Sequence, residues 1–172
     1  MENQVMETTN TDVAVITAGA LLNHWQGHRK LSRKVLDAFP ENELFGFSIG
    51  GMRTYAGLAK EIIGLTSGGI NGIVTGDWST TPELDYFNPE ADIKSKAELL
   101  AAWDEVTNQL DTLWPQIPAE HFNDKVKAFG QWDNTVIDTI LYFIDNDTHH
   151  RGQGTVYLRA LGIEPPAFWE RW

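Results

Sequence analysis

The chain has 172 residues, 42% of them hydrophobic, which suits one domain with a buried core. A formal charge of -11, with no basic patch to offset it, excludes the usual attraction to nucleic-acid phosphates. With no cysteine there is no disulfide framework, thiolate metal site or thiol nucleophile, so any sulfur chemistry must arrive with a substrate.

Residues 1–12 are polar and lack the basic stretch and apolar run of a secretory leader, so they read as a flexible arm ahead of one helical domain, residues 13–172. No run of about 18 uncharged apolar residues occurs, so no membrane-spanning helix is expected and a cytoplasmic location is the default. From Val13 to Phe39, the apolar residues Ile16, Leu21, Trp25, Leu31, Val35 and Leu36 follow helical spacing, and Pro40 closes the segment. Gly51 to Leu65 predicts a second helix lined by Met52, Tyr55, Leu58, Ala59 and Ile62, broken at Ser67, Gly68 and Gly69. Thr66 to Lys94 lacks sustained periodicity and reads as a long crossover that partly covers a site.

Ser95 and Glu98 fit a capping box for a third helix, which runs through Leu99, Trp103, Val106 and Leu110 to Trp114 and stops at Pro115. Glu120 to Gln131 reads either as a short strand pair or as an irregular crossover. A fourth helix is predicted from Asp133 or Asn134 to Leu161, with Gly162, Pro165 and Pro166 as its stop. These elements predict an all-α fold, a four-helix bundle with long crossover connections. The tail AFWERW, residues 167–172, is expected to dock its aromatic side chains on the bundle.

The fourth helix carries NDTHHRGQG, residues 146–154. At 3.6 residues per turn, Ile140, Phe143, Asn146 or Asp147, His150, Gln153 or Gly154, Tyr157 and Leu161 share a stripe that is apolar at both ends and polar in the middle. Unpaired polar groups inside a bundle cost ~1–3 kcal/mol each, so this patch needs partners, water or a ligand. Asn146 and Asp147 stand four and three residues before His150, spacings at which either can converge with it on one ion. The bland alternative is a His150 that hydrogen-bonds across the bundle while its neighbours face water. His149 lies about 100 degrees round the helix from His150 and reads as outward. His24 and His28 have the spacing of a metal-binding pair. With Gln26, Arg29 and Lys30 beside them they read instead as solvated helix surface, and His121 is a lone loop histidine.

The segments HHRGQGTVYLRALGIEPP, ending at Pro166, and GMRTYAGLAKEI, residues 51–62, resemble the last and second bundle helices of DinB-like proteins, a family that includes metal-dependent thiol transferases. The resemblance runs from the first helix to Pro166 and is specific only in the His-Arg-Gly-Gln stretch. It implies a divalent ion, nickel or zinc, held by one histidine from the second helix and two from the last. In this sequence the positions fall at Glu61, Asn146 and His150, so two of the three ligands have changed, from nitrogen toward oxygen donors. Asp147 then reads as second-shell support or an alternate ligand, and Arg151 and Gln153 as groups that position an anionic or polar substrate.

The resemblance implies a metal-dependent hydrolase or thiol transferase acting on a small molecule, such as a low-molecular-weight thiol. One alternative is a noncatalytic binding protein that has lost its metal, with Glu61 and His150 as a self-satisfied pair. Another is a structural or stress-associated dimer working through a surface drawn from its seven tryptophans. The family pattern is compatible with a homodimer.

Overall fold

In the computed structural model, which describes residues 15–85 and 93–171, threonine side chains open three of the five helices. Thr17 Oγ1 accepts from the Ala20 amide at 3.1 Å, Thr54 from Gly57 at 3.3 Å and Thr135 from Asp138 at 3.2 Å. Each satisfies an amide that the first helical turn leaves without a partner. The helices are α1 (Ala18–Ala38), α2 (Glu41–Gly46), α3 (Tyr55–Thr75), α4 (Lys96–Leu113) and α5 (Val136–Ala160). The capping box holds at α4, where Ser95 and Glu98 exchange side-chain to backbone hydrogen bonds. The arm at residues 1–12 and Trp172 lie outside the described residues.

The four long helices are the predicted bundle, with α3 packed on α4 and α5, and α1 on α5 and α4. Between α4 and α5 the chain forms an antiparallel hairpin, β1 (Lys125–Ala128) with β2 (Trp132–Thr135), in which Lys125 faces Thr135 and Ala128 faces Trp132. The strand pair was the first of the two readings for this region. It pushes the start of α5 two residues past Asn134.

The break expected at Ser67, Gly68 and Gly69 does not occur. Helix α3 continues through all three to Thr75 and ends at Gly76, whose φ of +81° suits a left-handed cap. The reason is packing: a Cβ on Gly69 would overlap the Phe143 ring, and a Cβ on Gly154 would overlap the Tyr55 ring. Glycine costs helix propensity here, but it lets α3 and α5 approach closely at two levels.

The tail departs from its expectation as well. Phe168 and Trp169 are 69% and 68% exposed. Polar contacts hold this segment instead, with Lys34 Nζ donating to the Glu170 carbonyl at 2.9 Å and Arg171 Nη1 lying 3.1 Å from His28 Nε2.

The apolar core falls into two clusters. One gathers Val35, Leu36, Phe39, Tyr55, Leu99, Trp103 and Tyr157, and the other Leu21, Trp25, Leu65, Leu110, Ile140 and Phe143. On α1 the residues between them are His28, Arg29 and Ser32, and on α5 they are Asp147, His150 and Arg151, all buried. A polar layer therefore crosses the middle of the bundle.

Two glycine substitutions on facing helices should act in opposite directions. Gly69→Ala, which drives a methyl into Phe143, should destabilise by about 1–3 kcal/mol. Gly152→Ala, which meets open space on the exposed face of α5, should stabilise by roughly 0.5–1 kcal/mol. Urea unfolding of both variants at one pH measures the pair, and equal effects of the same sign would contradict the packing account.

Candidate functional site

Helices α3 and α5 run antiparallel, so Glu61 on α3 meets Asn146 and His150 on α5. The Glu61 carboxylate accepts from Asn146 Nδ2 at 3.0 Å on Oε1, and its Oε2 pairs with Arg53 Nη2 at 2.5 Å. His150 Nε2 lies 3.2 Å from the same Oε1. Burial pushes the Glu61 carboxyl up, but a charged His150, together with Arg53 and Asn146, outweighs it and holds the group at about 2. It is a carboxylate at neutral pH.

The ring orientation of His150 follows from its other neighbour. His150 Nδ1 is 2.7 Å from Gln153 Oε1, and Gln153 Nε2 donates to Met52 Sδ at 3.7 Å, which fixes the orientation of that amide. Nδ1 is therefore the donor, and Nε2 is the nitrogen turned toward Glu61. Two acceptors 3.2 Å apart repel unless a proton or a cation lies between them. The distance is within ion-pair reach, yet the ring geometry makes no hydrogen bond, and Nε2 is buried without a hydrogen-bond partner among the described residues. Asn146 Oδ1 is also buried and unpartnered.

The donor set fits a cation. Two ligands held ~2.0–2.2 Å from one ion stand roughly 3.0–3.4 Å apart, which is the separation of Nε2 and Oε1. No group of three or more His, Cys, Asp or Glu side chains among the described residues has the arrangement to hold an ion. A third ligand requires the Asn146 amide to turn, because its Nδ2 and not its oxygen faces Glu61.

The remaining predicted residues divide. Gln153 orients His150. Asp147 and Arg151 turn the other way, toward α1, because adjacent helical positions differ by about 100 degrees and only Asn146 of the Asn-Asp pair can face Glu61. Asp147 is fully buried, accepts from Ser32 Oγ and sits 3.7 Å from Arg151 Nη1. Burial pushes its carboxyl up against the pull of Ser32, Arg29 and Arg151. Arg151 donates to the His28 carbonyl and to Ser32 Oγ, each at 3.2 Å, and to His28 Nδ1 at 3.0 Å. These contacts make Asp147 and Arg151 part of the bundle's internal packing rather than of the Glu61 cluster.

The solvated surface expected around His28 is also corrected. His24 and Lys30 are exposed, but His28 is 8% exposed and Arg29 is fully buried. Arg29 bonds Thr66, Thr107 and the Trp103 carbonyl and lies 4.6 Å over the Trp103 ring. The apolar stripe Leu21, Trp25, Leu36 passes through Arg29 and Ser32, a continuation visible in the spacing. His149 is exposed, as its helical angle indicated. Arg53, the partner of Glu61, gave no signal, since it lies before Thr54 and reaches forward from the loop that enters α3.

Fold and cluster together define a helical-bundle protein with a mixed carboxylate, amide and imidazole cluster between its second and last long helices. The chain belongs to the DinB family, whose profile matches residues 6–172. Comparison with curated proteins gives no match. No helix among the described residues is long and apolar enough to cross a membrane.

The α1 network carries a pH signature. Burial, followed by the charges of Arg151, His24 and Arg171, lowers the His28 imidazole from 6.5 to about 4. The unfolded chain takes up this proton near 6.5 and the folded chain only near 4, so the contribution is complete above 6.5 and is lost as pH falls toward 4. Folding free energy should drop by about 2 kcal/mol from this group between pH 7.5 and 5. Urea titrations of the parent chain and of His28→Asn at both pH values check it, the expected result being a smaller pH difference in the variant.

Proposed function

We propose that this DinB-family chain holds one divalent cation between Glu61, Asn146 and His150 and acts as a metal-dependent hydrolase or thiol S-transferase with an altered metal centre. One observation carries the reading: a buried imidazole nitrogen, its other nitrogen committed to Gln153, faces a carboxylate oxygen at 3.2 Å without a hydrogen bond. When bound, the ion supplies Lewis acidity toward a water or a low-molecular-weight thiol. Two oxygen donors and one nitrogen weaken the preference for nickel or zinc and favour harder ions such as manganese.

The chain's own residues prepare the site. Glu61 stays ionised because Arg53 and Asn146 stabilise its charge, and Gln153 holds the His150 tautomer that leaves Nε2 available. The Glu61 side chain is 17% exposed and that of Arg53 42%, so a substrate can reach both from outside. Arg53 places a cation at this mouth, suited to an anionic group of the incoming molecule.

A second reading places a proton where the first places the ion and makes the pocket noncatalytic. Its support is that the Glu61 carboxylate already has Arg53 and Asn146 as donors, so a protonated His150 completes the set without metal.

Calorimetric titration of untagged, chelator-treated protein with manganese, zinc and nickel separates the two. The expected result is one site per chain, lost in His150→Ala and about 10- to 100-fold weaker in Gln153→Ala, with binding weakening on acidification because the ligating imidazole must be neutral. Absence of saturable uptake for all three ions, together with a His150 protonated on both nitrogens by NMR, establishes the noncatalytic reading instead.

A further inference from the structure

One helical turn from the Glu61 cluster, the groove between α3 and α5 changes character. Leu65 follows Glu61 by four residues and Tyr142 precedes Asn146 by four, so both lie on the cluster's side of their helices, roughly 6 Å further along. There Leu65, Ala128, Phe129, Trp132, Tyr142 and Phe143 line a cavity of about 180 Å³. Its other two lining residues are Asn134 and Thr139, so no charged side chain faces it. The Thr139 hydroxyl is committed to the Thr135 carbonyl at 2.8 Å, which leaves the wall largely apolar.

The hairpin is bent to supply this wall. Phe129 has φ +52° and Gly130 φ +68°, two consecutive left-handed residues of the kind a tight hairpin turn requires. Asparagine, aspartate or glycine normally takes the first position, and a bulky residue there is strained. The conformation directs the Phe129 ring inward, edge-on to Phe143 at 6.3 Å and to Trp132 at 6.2 Å. Trp132 and Tyr142 are 52% and 56% exposed, so the slot opens to solvent with aromatic rings at its entrance.

We propose that this slot seats an uncharged aromatic ring of the substrate, so that the molecule acted on is an aryl compound whose polar group extends along the groove to Glu61, Asn146 and His150. The inference rests on the reading of that cluster as the reactive centre. Size selects the occupant: an apolar cavity of ~150 Å³ accepts benzene, so this one holds a single six-membered ring with one small substituent. Lining chemistry selects it as well, because four aromatic side chains from α5 and the hairpin offer edges and faces to a flat guest, and no charge asks for a counterion.

The test uses phenol as the probe and cyclohexanol as its saturated counterpart, followed by the methyl resonances of Leu65 and Ala128 in the full chain with chelator present. Phenol should shift both methyls saturably and bind at least about 5-fold more tightly than cyclohexanol. Ala128→Leu, which fills the slot, should abolish the effect, and Trp132→Ala, an exposed hairpin change, should weaken it roughly 3- to 10-fold. Unfolding midpoints close to the parent value confirm that both variants fold. No saturable shift, equal binding of cyclohexanol, or unchanged binding in Ala128→Leu overturns the proposal. Manganese added after the chelator has been dialysed away distinguishes the slot from the cluster. Broadening of the bound phenol protons supports both, whereas phenol binding without broadening or manganese uptake supports the slot and removes the cation reading.

Discussion

Asp147 enters the bundle fully buried and is met there by the Ser32 hydroxyl and Arg151, with Arg29 near enough for its charge to act on the carboxyl. A carboxylate in that position is tolerable only with such partners, because an unpaired charge in a low-dielectric interior costs several kcal/mol. The requirement spreads outward. Arg151 must also be satisfied and takes the His28 carbonyl and ring, while Arg29 takes Thr66, Thr107 and the Trp103 carbonyl. The polar layer thus ties α1, α3, α4 and α5 together at one level, and the two apolar clusters lie on either side of it.

The Glu61 cluster is the α3 edge of that layer, and it differs from the α1 side in one respect. Asp147 accepts from Ser32 on one oxygen and keeps Oδ2 buried without a hydrogen-bond partner among the described residues, whereas at the Glu61 cluster the unpartnered atoms are Asn146 Oδ1 and an imidazole nitrogen, His150 Nε2. Both flanks therefore carry a buried oxygen without a donor, and what sets the α3 flank apart is the imidazole nitrogen that faces the Glu61 carboxylate, on which the proposed function rests.

The four long helices were readable from spacing, and the α4 start from the Ser95 and Glu98 pair alone, whereas the short α2 and the part of α3 beyond Leu65 were not. The polar interruption on α5 was equally plain, and Glu61, Asn146 and His150 do converge. Other features were hidden for identifiable reasons. Gly68 and Gly69 look like a helix break in one dimension and act as a packing surface in three, since Phe143 is distant in sequence. Asn146 and Asp147 occupy adjacent positions, and whether either faces α3 or α1 depends on a rotation that periodicity does not set. Arg29 looks like surface because its companions Lys30 and His24 are exposed, although its own position continues the buried stripe. The exposed tail aromatics reverse an expectation drawn from hydrophobicity, since the hydrogen bond from Lys34 to the Glu170 carbonyl positions that segment.

The close approaches at Gly154 with Tyr55 and at Gly69 with Phe143 bracket the donors along the α3 and α5 interface. Because ring-on-glycine contacts at both ends set the gap, the distance between Glu61 and His150 does not depend on the chemistry of the side chains that bridge it. Such a scaffold lets ligands be exchanged, imidazole for carboxylate or amide, while the backbone frame stays rigid. A chain built this way can change the chemistry of its central cluster without first having to rebuild its fold.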